Sequence, residues 1–97
     1  YVPFVQVGDM VHVSGQVCRG PDGWITGRLG ADLDVAAGAA AARACALAIL
    51  AQVKAACGGD LDRVVRVVKL VGFVCSDPGF TDQPKVINGA SDFLVAV

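Results

Sequence analysis

The sequence predicts an α/β (α+β) fold in one domain, with elements in the order strand, strand, helix, strand, helix across 97 residues. Three patterns carry that prediction. Met10 to Ser14 alternates with the period of two that a half-buried strand requires. An alanine-rich stretch from about Val35 to Ala56 lies between a capping aspartate and a glycine stop. Val64 to Cys75 is apolar on both parities except at Arg66, Lys69 and Gly72, the pattern of a strand covered on both faces.

Tyr1 to Val7 is read as the first extended segment, and Gly8-Asp9 as a tight turn with glycine in its first central position. The second strand is expected over Met10 to Val17. On it Val11 and Val13 face one side, while Met10, His12 and Ser14 face the other. Gly15 follows the Ser14 hydroxyl and lets a second backbone or a small ligand approach closely. Cys18 to Gly23 has loop chemistry in Gly20, Pro21, Asp22 and Gly23, and Trp24-Ile25 is a short extended piece before the glycine-spaced Gly27 to Gly30.

Asp34 is the expected N-cap of the long helix and Gly58 its end, although Ala37 stands where a capping box needs an acid. Leu47, Leu50, Val53 and Cys57 recur at helical spacing and form its expected buried stripe, and the alanines keep the helix thin. Asp60 to Arg63 leads into the third strand, and Ser76 to Gly79 forms a turn. Thr81 or Asp82 caps the second helix, whose first turn tolerates Pro84 and whose expected stripe is Ile87, Ala90, Phe93, Leu94 and Val97. A right-handed strand-helix-strand crossover places the long helix on one sheet face, with the second helix beside it. The opposite face, with His12, Ser14 and part of the third strand, then has no cover from this chain, and another subunit is its natural cover.

Composition narrows the function. The chain is 55% hydrophobic, yet Val35 to Leu50 is mostly alanine, is interrupted by Arg43, and is too short to span a bilayer, so the excess apolar surface is assigned to an oligomer interface and no membrane partner is expected. Formal charge is −1 and the basic residues are scattered, which argues against a nucleic-acid partner. Every acidic residue is an aspartate, so a paired-carboxylate mechanism has only aspartates to use. Cys18, Cys45, Cys57 and Cys75 lack the short spacings of zinc and redox sites and read as reduced, mostly buried cysteines of a cytoplasmic protein. The chain opens at Tyr1 and closes on Val97 inside an apolar run, and both ends read as cut.

Few residues carry chemistry. Ser14 lacks a GxSxG setting; His12 lies two positions away on the same strand face, with no aspartate placed by sequence to orient its ring. His12 therefore reads as a partly buried or interface histidine, with general base as the competing role. Asn88-Gly89 in the second helix lowers helix propensity without a benefit visible in the sequence; Asn88 is either a polar position at a subunit contact or a functional one. Nucleotide, metal and EF-hand signatures are absent, so no metal and no cofactor are expected.

Taken together, Tyr1, Val13-Ser14-Gly15-Gln16, Ala41 to Leu47, Asp60-Leu61-Asp62-Arg63-Val64 and Phe80 to Asn88 resemble the RidA family, also called YjgF or reactive-intermediate deaminases. The order and spacing carry the resemblance, including Tyr1 thirteen residues before Ser14, and it covers essentially the whole chain. The long loop from Cys18 to Ala31 is similar to a less-studied subgroup. The resemblance implies a chorismate-mutase-like ββαβα subunit, its closing C-terminal strands missing, in a homotrimer with pockets between neighbouring subunits. It implies substrate-binding roles for Tyr1, Ser14, Gly15 and Asn88, and hydrolysis of 2-aminoacrylate-type enamines and imines to keto acid and ammonia without a cofactor. An imine carbon is already electrophilic, so such a site needs mainly to hold the substrate carboxylate and position a water. The family's arginine for that carboxylate follows the second helix and its water-positioning acid comes later, so both are expected beyond Val97. Arg43, Arg63 and Arg66 do not occupy the motif position, and this chain alone is expected to be inactive. A non-catalytic trimeric small-molecule-binding or regulatory module on the same scaffold is the alternative.

Overall fold

The alternating stretch forms a hairpin in the computed structural model, which describes residues 2–20 and 23–97. Strand β1 (Phe4–Val7) pairs antiparallel with β2 (Met10–Val13), Phe4 opposite Val13 and Val7 opposite Met10. Gly8 takes φ of 58° and Asp9 has no positive φ, the combination of a type II′ turn, in which only the first central residue needs the left-handed region. Val11 and Val13 are half-buried and Met10 and His12 exposed, so the two faces divide as the alternation predicts. The backbone ladder runs one step further, where the Ser14 N–H donates to the Pro3 carbonyl at 2.9 Å.

The 18–25 stretch holds more order than loop composition suggests. Arg19–Gly20 (β3) and Gly23–Trp24 (β4) make a second, very short antiparallel pair, with Arg19 directly opposite Trp24. The glycine-spaced segment then folds around Leu29, which is buried. Leu29 exchanges backbone hydrogen bonds with the following turn, its N–H donating to the Cys75 carbonyl and its carbonyl accepting from the Asp77 N–H, both at 2.9 Å. Arg28 and Asp77 add an ion pair at 3.7 Å across the same junction.

Helix α1 (Val35–Ala56) has the expected ends. The Asp34 carboxylate accepts from the Ala37 N–H at 2.8 Å, and Gly58, at φ of 67°, stops the helix. Gly59 N–H donates to the Lys54 carbonyl and Gly58 N–H to that of Ala55, the paired bonds of a Schellman cap. It is 22 residues long and holds an 18-residue window of mean hydropathy 1.6, long and apolar enough by length and composition to cross a membrane.

Packing corrects the expected stripes. The buried residues of α1 are Gly38, Ala41, Ala42 and Ala46, whereas Leu47 is 61% exposed. Helix α2 (Gln83–Ala96) buries Val86 and Ala90, with Ile87, Phe93 and Leu94 half-buried and Val97 beyond its end exposed. Asp82 occupies the N-cap without a side-chain capping bond, and Pro84 lies in the first turn. The contact uses the smallest residues because they allow the closest approach. A Cβ on Gly89 would overlap the Ala39 carbonyl oxygen, and one on Gly38 would lie 3.1 Å from Val86. The glycine after Asn88, a cost to the isolated helix, is what lets the two helices meet.

The third strand is not formed. Val64 onward lies extended after a 3-10 turn at Leu61–Arg63, but among the described residues no backbone hydrogen bond joins 65–74 to another segment. Leu70 packs on the Ala42–Ala46–Ala90 cluster and Gly72 meets Ile87, so the run follows α2 instead of entering the sheet. A central strand needs a hydrogen-bonding neighbour on each edge, and the described residues supply neither. Val65 at 96% and Val68 at 66% exposure, on opposite parities, show the run open rather than covered. Total accessible surface is 6857 Å², against about 5,200 Å² for a folded monomer of this mass.

Candidate functional site

Ser14 stands where β2 leaves the hairpin, and its Oγ donates a short hydrogen bond to the Val2 carbonyl. The hydroxyl proton is thereby committed to the backbone and not to His12. His12 is exposed on the strand, opposite Val5. A Ser–His nucleophile pair thus has no support, and Ser14 acts as a positioning group that ties the start of the chain to the end of β2. Gln16 reinforces the corner, its Nε2 donating to the Ser14 carbonyl at 3.1 Å. Gly15 between them is exposed.

Asn88 is exposed on α2, one residue before the glycine that docks on Ala39. Gly89 fixes the helix contact, and the Asn88 amide is left to face outward. No hydrogen bond joins Asn88 to Ser14 among the described residues, so within one chain the two are not assembled into one site. Tyr1 lies outside the described residues.

The groove nearest to Ser14-Gly15 was not foreseen as a site. It has a volume of about 450 Å³ and is lined by Pro3, Gly15, Gln16, Val17, Arg19, Trp24, Ala48 and Gln52. The β3–β4 pair and the middle of α1 make its walls. Arg19 lies over the Trp24 ring, its guanidinium carbon 5.6 Å from the ring centroid, a cation–π geometry that orients the fork. Sequence reasoning passed over Arg19 and Trp24 because it took 18–23 as a loop. The signal was there in Gly20-Pro21-Asp22-Gly23, a turn sequence whose tight form sets its flanking residues face to face. Gln52 carried no such signal, since only packing shows which helix face borders the groove.

Cys45 lies against Cys18. Burial, then a hydrogen bond with Cys18 and the charge of that neighbour, pushes it up from 9.0 to about 11. Such a thiol is protonated near neutrality and is a poor nucleophile. No group of three or more potential metal ligands occurs among the described residues.

The comparisons with known proteins bear on the whole chain. The family model described as "YjgF/chorismate_mutase-like, putative endoribonuclease" matches residues 1–97. Protein TCP17 of Trypanosoma cruzi is 55% identical over 98 residues, covering 100% of this chain and 61% of that protein. The crystal structure of Atu1372, a protein of unknown function from Agrobacterium tumefaciens, superposes with a TM-score of 0.94 at 50% identity, over 98% of this chain and 61% of that one. A Shewanella oneidensis MR-1 structure described as a "putative endoribonuclease" superposes with a TM-score of 0.92 at 36% identity, over 98% and 63%. The chain therefore spans about three-fifths of the length of these relatives.

Proposed function

Because this chain belongs to the YjgF/chorismate-mutase-like family, we propose that the full-length protein is a cytoplasmic homotrimer that hydrolyses reactive enamines and imines of the 2-aminoacrylate type to keto acid and ammonia. The observation that carries this reading is the pairing of a fixed Ser14–Gly15 corner with a large apolar surface left open. Val5, Val7 and Met10 on the hairpin, together with Val65, Val67, Val68, Val71 and Phe73, are exposed to an extent that a partner surface would relieve. A pocket completed between subunits would bring Ser14 and Gly15 of one copy near groups that its own chain does not place there.

The chemistry suits a site of this kind. Water adds to the electrophilic imine carbon, giving a carbinolamine, and the nitrogen leaves as ammonia as the carbonyl forms. No nucleophilic serine is needed, which agrees with a Ser14 hydroxyl already donated to the Val2 carbonyl. In this reading Ser14 and Gly15 shape the pocket floor, Asn88 and Tyr1 bind substrate, and an arginine outside this chain holds the substrate carboxylate.

The test is ammonia release by the full-length protein from a freshly generated imino acid, measured above the spontaneous rate. Ser14→Ala and Asn88→Ala are expected to lower the rate by about tenfold to a hundredfold through lost positioning. Ammonia release no faster than in buffer overturns the enzyme. Carboxylate binding without turnover then favours the small-molecule-binding module. The endoribonuclease named for relatives is not adopted, because within these 97 residues a formal charge of −1 and a single histidine give RNA neither a basic surface nor an acid–base pair.

A further inference from the structure

We propose that the groove between the β3–β4 pair and α1 is a binding site of its own, taking a small organic monocarboxylate with a flat apolar body. It borders the proposed deaminase corner at Gly15 but does not rest on the deaminase reading, because every wall comes from one chain and its cation is Arg19.

The walls set the ligand class. Pro3, Val17, Trp24 and Ala48 offer mainly apolar surface, and the lining carries a single formal charge, that of Arg19. Among the described residues Arg19 has no carboxylate partner, unlike Arg28 and Lys85, which pair with Asp77 and Asp82. Stacking on Trp24 occupies the face of the guanidinium and leaves its N–H edge, the part that accepts a carboxylate through two parallel hydrogen bonds. One guanidinium matches one negative charge. The groove borders α1 at Ala48 and Gln52, in mid-helix, so no helix N-terminus supplies the extra donors that a phosphate would use.

The remaining polar groups are sparse and placed. Ala48 and Gln52 are one turn apart on α1; the alanine opens space and the half-buried Gln52 presents an amide to the same volume. Gln16 is held by its bond to the Ser14 carbonyl. The exposed Trp24 ring, 63% accessible, is left as a flat wall against which a planar ligand body can lie. A volume of about 450 Å³ is within the range of small-molecule sites.

The experiment follows the Trp24 indole N–H resonance of the 15N-labelled full-length protein, assigned by its loss in Trp24→Phe, during titration with phenylacetate and with the uncharged isostere phenylacetamide. Phenylacetate is expected to shift that resonance saturably, with phenylacetamide binding at least about tenfold more weakly. Arg19→Gln is expected to weaken phenylacetate by about tenfold to a hundredfold, the loss of charge-assisted hydrogen bonds. Arg19→Lys keeps the charge without the fork and is expected to fall between. Arg43→Gln removes another exposed arginine, one stacked on Phe93 at 5.0 Å outside the groove, and is expected to change nothing. An absent or non-saturating shift, equal binding of the amide, or wild-type affinity in Arg19→Gln overturns the site. The readout is local to Trp24 and independent of ammonia release, so the groove and the deaminase fail separately.

Discussion

Replacing Gly89 by alanine is the substitution from which the helix contact gives the clearest number. A Cβ at that position would lie 2.7 Å from the carbonyl carbon and 2.8 Å from the Cα of Ala39, besides overlapping the carbonyl oxygen. Ordinary carbon–carbon contact is about 3.5–4.0 Å, so α1 and α2 must separate by roughly 0.7 Å or more. The opposing atoms are helix backbone and cannot rotate aside. Separation also loosens Ala42, Ala46 and Ala90, the buried cluster on which Leu70, Phe93 and Leu94 pack. Overpacking of this kind costs about 1–3 kcal/mol or more, against a gain of about 1 kcal/mol for alanine over glycine within a helix. The net expectation is a loss of up to roughly 2 kcal/mol, or up to about 8–16 °C in Tm for a domain of this size. The assay is thermal and urea unfolding of Gly89→Ala beside Gly79→Ala, whose Cβ meets nothing within 4 Å and whose φ is not positive. Gly79→Ala is expected to be neutral or up to about 1 kcal/mol stabilising. A Gly89→Ala variant that melts at or above the wild type refutes close helix approach as the reason for this glycine.

Asp34→Ala removes the 2.8 Å bond to the Ala37 N–H and is expected to cost about 0.5–2 kcal/mol in urea unfolding; Asp34→Asn should restore most of it, and failure to do so would implicate charge in place of capping. Cys45, raised from 9.0 to about 11, should carry about a hundredfold less thiolate at pH 8 than a thiol left at 9.0. Exposed Cys75 should therefore react with a thiol reagent well before Cys45, and the Cys45 rate should keep rising with pH up to about 11; a plateau below pH 9 would exclude the shift. The sign for stability is the same, since the neutral thiol favoured by the fold contributes fully below pH 9.0 and its contribution is lost as pH rises through about 11. Phe73→Asp, at a side chain 95% exposed in the single chain, should leave a lone surface unaffected but dissociate a full-length oligomer that buries it; light scattering decides, and an unchanged mass removes this run from the proposed trimer contact.

Local chemistry was legible in the sequence wherever one short segment sets its own conformation. Gly8-Asp9 closes its hairpin because the first central residue must accept a positive φ. Asp34 and Gly58 bound α1 because a carboxylate and a residue without Cβ satisfy the helix ends from within a few positions. The order of motifs from Val13-Ser14-Gly15-Gln16 to Asn88 likewise carried the family, since spacing along the chain survives without knowledge of packing.

Tertiary structure decided which surfaces meet, and there hydrophobicity alone misled. Leu47, Leu50 and Val53 have the larger apolar side chains, but α1 packs through Gly38, Ala41, Ala42 and Ala46, because backbone approach between helices is limited by the bulkiest residue at the contact. Val64 to Cys75 has the composition of a buried strand, yet 65–74 makes no backbone hydrogen bond to another segment among the described residues, because pairing depends on neighbours that its own sequence does not contain. The Arg19–Trp24 groove follows the same rule. Its guanidinium, ring and amide come from β3, β4 and α1, separated in the chain, and only the cross-strand register and the docking of that pair on α1 bring them to one volume. What the sequence by itself determined was each segment's shape and the family it belongs to; what the fold decided was adjacency, which depends on how closely backbones can approach.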